Sequence, residues 1–176
     1  MLTIKDKTFV PFITQATLEN RITQLAEQIN QDYKDREPLL VVVLNGAFIF
    51  AAELMKQLTI ACRVTFIRVS SYHQTASTGV IREILGLHEP LEGQDLILIE
   101  DIVDTGLTLQ RVCRQLGDRQ PASIAVATLL FKPDALQADL SPDYVGFSIE
   151  NRFVVGYGLD YDGFGRNTKE VFVLQE

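Results

Sequence analysis

The stretch LILIEDIVDTGLTL, Leu96 to Leu109, decides how this chain is read. Its first four residues, Leu96 to Ile99, form a continuous apolar run, the pattern of a strand buried on both faces of a helix-covered parallel sheet. Glu100 and Asp101 follow at once, then Asp104, Thr105, Gly106 and Thr108, and the apolar spacing from Thr108 to Leu116 is helical. A turn over Asp104–Thr108 between strand and helix offers backbone N–H groups and the Thr105 and Thr108 hydroxyls at a helix N-terminus, where phosphate binds well. Gly106 allows the backbone to come close. Three carboxylates within five positions repel one another and call for a compensating ligand. Carboxylates accept hydrogen bonds from hydroxyls and suit a hard cation, so a phosphorylated ribose carrying pyrophosphate and magnesium accounts for the whole pattern. A helix cap beside two solvated acids is the plainer reading of any single acidic turn. The length of the pattern E-D-x-x-D-T-G-x-T sets this one apart.

Outward from that stretch, the chain alternates strands and helices. PLLVVVLNG, Pro38 to Gly46, is a second doubly buried strand, and AFIFAAELMKQL after it reads as a helix. Leu18, Ile22, Leu25 and Ile29 place an earlier helix, with Thr14 or Thr17 as its cap. RVTFIRV and SIAVATLLFKP are further strands, the latter stopped by Pro133, and another is expected around Val80 to Leu87. Shorter strand-like pieces occur at DYVGFSI, FVVGYGL and EVFVL. This order predicts an α/β fold, a central mainly parallel sheet flanked by helices, with ligands beyond the carboxyl ends of the strands. Without repeats or linkers, residues 1–176 are read as one domain.

Composition narrows the function. A formal charge of -7 argues against a nucleic-acid or anionic-membrane surface. No stretch approaches the ~20 apolar residues of a membrane span, and the N-terminus lacks a signal-peptide run. Cys62 and Cys113 are too few for a disulfide framework, which suggests a reducing, cytoplasmic location. His73 and His88 lie far apart, so an imidazole-based zinc site is not expected.

The segment ILIEDIVDTGLT resembles the phosphoribosyl-diphosphate signature of the type I phosphoribosyltransferases. VLNGA, SSYHQTASTG, LLFKP and FVVGYGLDYDGFGR, in that order, are similar to the hypoxanthine/guanine branch. The resemblance implies that fold, with a small base-binding hood and a mobile lid loop over SSYHQTASTG. It implies transfer of a 5-phosphoribosyl group from 5-phosphoribosyl 1-diphosphate to N9 of hypoxanthine and guanine, giving IMP or GMP, in purine salvage. Magnesium is the implied cofactor, and a homodimer or homotetramer the implied assembly, with no nucleic-acid partner.

The implied roles attach to matching positions. Asp104, Thr105, Gly106, Leu107 and Thr108 hold the 5'-phosphate, and Asp104 is also the general acid/base facing purine N7. Glu100 and Asp101 meet the ribose hydroxyls and magnesium. Leu44, Asn45, Gly46, Ser70, Ser71, Tyr72, Arg152 and Arg166 serve pyrophosphate, with a cis peptide expected at Leu44–Asn45. Lys132, Phe153, Val154 and Asp160 belong to the purine side: the ammonium toward O6, the ring as a stacking face, the Val154 backbone on the base edge. Asp160 also holds a second magnesium. Asn45 stands where relatives often carry lysine, Leu107 where a polar residue is frequent, and Gly165 where an aromatic is frequent. Within the same fold, the rival reading is a regulator that binds phosphoribosyl diphosphate or nucleotides while controlling RNA or DNA. The acidic charge and the joint presence of Asp104, Lys132 and Phe153 weigh against it.

Overall fold

The structure, a computed structural model, describes residues 1–70, 82–83 and 87–175. In chain order its elements are β1 (Leu2–Ile4), β2 (Lys7–Ile13), α1 (Gln15–Asp32), β3 (Leu39–Leu44), α2 (Phe48–Met55), β4 (Arg63–Ser70) and β5 (Arg82–Glu83). Then come β6 (Asp95–Val103), α3 (Leu107–Gly117), β7 (Ser123–Phe131), β8 (Tyr144–Ser148), β9 (Val154–Val155) and β10 (Val171–Leu174).

The central sheet runs β5-β4-β3-β6-β7-β8. Its pairs are parallel apart from β4 with β5. Side chains alternate across this sheet, so each strand feeds two cores. Leu40, Val42, Ile97 and Ile99 pack with α1 and α2, while Leu39, Val41, Val43, Leu96 and Leu98 pack with Leu109, Val112 and Leu116 of α3. That double burial is why β3 and β6 are apolar at consecutive positions. Helix α1 buries Leu18, Ile22, Leu25 and Ile29, and Thr14 caps it, its Oγ1 accepting from Thr17 N at 3.4 Å. Arg21 on its side donates to the Val145 and Gly146 carbonyls at 2.7 and 2.8 Å, tying the helix to β8.

A second, antiparallel sheet, β1-β2-β10-β9, joins the two ends of the chain. The sequence reading found its C-terminal strands and missed the N-terminal hairpin. The hairpin turns at Lys5–Asp6 with Lys5 at φ 51°, and no glycine or Asn-Gly pair announces it.

Two boundaries differ from expectation. Strand β6 continues past Ile99 to Val103, because β7 stays apolar and keeps pairing: Glu100 with Thr128, Ile102 with Leu130, Val103 with Phe131. Glu100 and Asp101 therefore lie within the strand, and the turn before α3 shortens to Asp104–Gly106. Helix α2 ends at Met55, a turn earlier than its apolar sequence suggests. The lid segment, with Ser71 and Tyr72, lies outside the described residues, as does most of the strand expected around Val80 to Leu87, apart from β5. Among the described residues no helix is long and apolar enough to cross a membrane.

Candidate active site

At the carboxyl ends of β3 and β6 a cleft of about 780 Å³ opens to solvent. Leu44, Gly46, Glu100, Asp101, Asp104, Thr105, Gly106, Thr108, Asp160 and Arg166 line it, together with the apolar Val43, Val69, Ile102, Val103 and Leu109. The strand that carries Glu100 and Asp101 pairs with β3 as far as Ile99 and with β7 at Glu100 and Ile102, on either side of Asp101. Burial, and then the neighbouring Asp101 charge, push the Glu100 carboxyl well above its ordinary value of 4.5. Among the described residues no lysine or arginine pairs with either acid. Asp101 Oδ1 accepts from Ile102 N at 2.8 Å, and Glu100 Oε1 from Asp101 N at 3.4 Å.

Asp104 to Thr108 closes the cleft from the α3 side. Gly106, at φ 74°, precedes the helix, and a Cβ on it would stand 2.7 Å from Leu136 Cδ1. Backbone angle and space both demand glycine there. The Thr105 carbonyl is taken by Gln137 N and Ala138 N, at 3.0 and 3.1 Å. The first N–H groups of α3 have no partner within the helix, no side chain caps its start, and Gly106 and Thr108 at that end line the cleft. Leu107 is 39% exposed and does not line the cleft.

The opposite wall is built from β3 and the C-terminal loop. The Leu44–Asn45 peptide is cis, as the resemblance implied. Gly46 packs so tightly that a Cβ there would fall 1.5 Å from Asp101 Oδ2. Gly158, at φ 105°, presses on the same turn, a Cβ on it lying 2.0 Å from the Gly46 carbonyl oxygen. Beyond it Arg166 pairs with Asp160 at 2.5 Å and donates to the Gly158 carbonyl at 2.6 Å. Asp160 Oδ2 accepts from Gly163 N at 2.7 Å. Three segments distant in sequence are thus held by backbone contact at glycines, which no side-chain motif records.

Beside the cleft lie the residues that the resemblance assigned to the base. Lys132 follows β7, its backbone N–H donating to the Val103 carbonyl at 2.9 Å, and its side chain is buried. Its Nζ donates to Asp104 Oδ2 at 2.8 Å and to Asn151 Oδ1 at 3.4 Å. Phe153, expected as a stacking face, is 45% exposed. Its ring meets Tyr161 edge-on at 5.9 Å and Phe9 at 6.2 Å, while Val154 beside it is buried in β9.

Of the residues expected in the site, Asn45, Leu107, Arg152, Phe153 and Val154 do not line the cleft, and Lys132 joins it through Asp104. The side chain of Ser70 is not described. Among the described residues no three His, Cys, Asp or Glu side chains gather as a metal cage. Glu100, Asp101 and Asp160 therefore form no single ligand cluster. Magnesium binds by one or two carboxylates plus substrate phosphates, so the crowded Glu100–Asp101 pair and the separate Asp160 fit that habit. Sequence reasoning passed over Ile102, hidden in the variable middle of the acidic motif, and Asn151, one position outside the residues it weighed.

Fold and cleft together define an open α/β protein with an acid-rich cleft where its parallel strands end. Residues 14–162 match the phosphoribosyl transferase domain family, and the chain belongs to that family. A hypoxanthine-guanine phosphoribosyltransferase of Mycobacterium bovis is 43% identical over 157 residues, which span 85% of this chain and 78% of that one. The enzyme of that name from Bacillus subtilis is 38% identical over 93% of this chain and 91% of its own. Among solved structures, a hypoxanthine phosphoribosyltransferase from Staphylococcus aureus superposes with a TM-score of 0.90 at 35% identity, covering 97% of this chain and 93% of that one.

Proposed function

We propose that this chain, acting as one domain over residues 1–176, moves the 5-phosphoribosyl group of 5-phosphoribosyl 1-diphosphate onto N9 of hypoxanthine and guanine. The products are IMP or GMP and pyrophosphate. The observation that carries this reading is the buried Lys132 ammonium 2.8 Å from Asp104, beside the exposed ring of Phe153. It supports the reading because an ammonium can donate to a 6-oxo group, a carboxylate can take a proton and an aromatic ring can stack on a base. An ammonium cannot accept from the 6-amino group of adenine, so the same donor selects against it.

In the reaction N9 attacks C1', the bond from C1' to the pyrophosphate oxygen breaks with its electron pair on the leaving group, and Asp104 takes the proton from N7. The α3 N-terminal N–H groups, with the Thr105 and Thr108 hydroxyls, hold the 5'-phosphate. The Gly46 turn and Arg166 orient the diphosphate, and Arg166 arrives already aligned by Asp160 and the Gly158 carbonyl. Arg152, Ser70, Ser71 and Tyr72 belong to the pyrophosphate side of the same proposal. The Asn45 side chain adds no cation there. Glu100 and Asp101, and separately Asp160, are the residues that would hold magnesium, whose charge offsets that of the diphosphate. Their crowding without a protein cation supports that role.

A homodimer or homotetramer in the cytoplasm completes the reading. Phe48 of α2 and Val64 and Phe66 of β4 are exposed, and the register of β4 against Leu40 and Val42 of β3 puts both β4 residues on the α2 side of the sheet. A second copy would cover them, and sedimentation would count the subunits. The free Cys62 and Cys113 agree with a reducing compartment.

The decisive test is pyrophosphate release with phosphoribosyl diphosphate, magnesium and each of hypoxanthine, guanine, xanthine and adenine. Turnover is expected with hypoxanthine and guanine and is expected to fall ~10²–10⁴-fold in Asp104→Asn. Tight binding of phosphoribosyl diphosphate with no turnover on any base would overturn the reading in favour of a regulator.

A further inference from the structure

We infer that Asn151 is a positioning residue for the base edge: its side-chain oxygen holds the Lys132 ammonium in place and couples that ammonium to the segment carrying Phe153. The inference rests on the proposed purine transfer and adds to it a residue outside the motif.

The argument starts from the ammonium. Lys132 is only 6% exposed, and a buried ammonium must be met by acceptors. It has three donors, of which two are engaged among the described residues, by Asp104 Oδ2 at 2.8 Å and Asn151 Oδ1 at 3.4 Å. The third is left for a ligand carbonyl. A lysine stem has four rotatable bonds, and a single acceptor fixes a distance without fixing a direction. Two acceptors on different segments fix both. The sense of the amide is not ambiguous either, because an ammonium only donates and so must meet Oδ1.

The second acceptor is placed with purpose in the chain. Asn151 follows β8 and stands two residues before Phe153. Phe153 is anchored from the other side, its carbonyl accepting from Leu174 N at 2.9 Å. The contact from Asn151 to Lys132 therefore ties the stacking face to the edge donor. Asn151 itself is exposed, so its replacement leaves the core intact. Being neutral, it holds the ammonium without competing as strongly as Asp104 for the charge that the base carbonyl needs.

Asn151→Ala and Asn151→Asp, compared with the unaltered protein, test this by steady-state kinetics with each substrate varied alone. In Asn151→Ala the KM for hypoxanthine is expected to rise about five- to tenfold, the loss of one long bond to a charged donor, while the KM for phosphoribosyl diphosphate stays within about twofold. Discrimination against adenine should narrow as the donor loosens. Asn151→Asp, which keeps an oxygen at the same reach but adds a charge that competes with the base carbonyl, should recover only part of that loss, its hypoxanthine KM falling between those of Asn151→Ala and the unaltered protein. An unchanged hypoxanthine KM in Asn151→Ala, or equal rises in both KM values, overturns the inference and leaves the transferase reading standing. An unaltered protein that neither binds nor turns over any purine overturns both.

Discussion

The two ends of the central sheet treat charge in opposite ways. At the amino ends of the strands charged and polar side chains pair with one another within the chain. Tyr144 donates to Asp32 at 2.7 Å, Arg36 pairs with Asp95 at 3.3 Å while its guanidinium covers the Tyr33 ring, and Ser123 also bonds Asp95. Asp143 caps that end by accepting from Val126 N at 2.7 Å. At the carboxyl ends Glu100 and Asp101 sit side by side with backbone amides for company, and a buried ammonium keeps one donor unused. One end is complete as folded and reads as structure. The other leaves acids and an ammonium that, in the proposed reading, a ligand with cations, hydroxyls and a carbonyl completes.

The harshest way to break that contrast is to disturb the carboxyl end where it has no slack. Gly46→Ala would drive a methyl group to within 1.5 Å of the present Asp101 Oδ2 position, so either the Asn45–Gly46 turn or the carboxylate must shift by an ångström or more. Displacements of that size at a reacting centre cost on the order of 10²-fold in rate. Initial rates with varied phosphoribosyl diphosphate should show kcat/KM down by about that factor in a protein with an unchanged circular dichroism spectrum. Unaltered kinetics would mean that the packing of Gly46 on Asp101 is incidental.

A smaller effect, and one with a pH signature, follows from the Glu100 carboxyl. Burial and Asp101 raise its folded pKa above 4.5. Below that value folded and unfolded chains both carry the proton. Above it the unfolded chain releases the proton while the folded one still holds it, so stability falls as pH rises, until the folded group also ionises. In a chelator, Glu100→Gln removes this loss and should raise Tm at neutral pH by ~2–4 °C, with the gain vanishing near pH 4. Magnesium together with phosphoribosyl diphosphate should reverse the order, stabilising the unaltered protein more than the variant. Melting curves across pH, with and without those ligands, decide it. A variant less stable than the parent in chelator would show that the two acids are not in conflict.

The contrast between the ends was only half legible in the sequence. The apolar runs at β3, β6 and β7, the turn before α3 and the position of Lys132 are all local, and one strand of text contains each of them. So is the motif that carried the cis peptide at Leu44–Asn45. What escaped is what depends on the chain returning to itself. The Lys5–Asp6 hairpin has no turn residue to mark it, and its strands are stabilised by β10, more than 150 residues away. Gly158 on Gly46 and Asn151 on Lys132 are contacts between segments that only the sheet order brings together. Phe153, by contrast, was expected as a stacking face from the resemblance, and its ring is 45% exposed beside Phe9 and Tyr161.

The smallest expected change falls at the amino end and asks whether the two ends are independent. Tyr144→Phe removes the hydroxyl that reaches Asp32, and since Asp32 is exposed, water replaces the lost donor. The cost should stay near ~1 kcal/mol, a drop of ~2–4 °C in Tm, with both KM values and kcat unchanged. Thermal melts beside steady-state rates measure the two separately. Tyr144 opens β8, and the same strand leads within a few residues to Asn151 and Phe153. If the hypoxanthine KM moved in Tyr144→Phe while that for phosphoribosyl diphosphate did not, β8 would be transmitting strain from the structural end to the base edge. Silence in the kinetics would show that the register of β8 against β7, fixed by the pairing of Ala127 with Tyr144 and Phe131 with Ser148, holds the functional end alone.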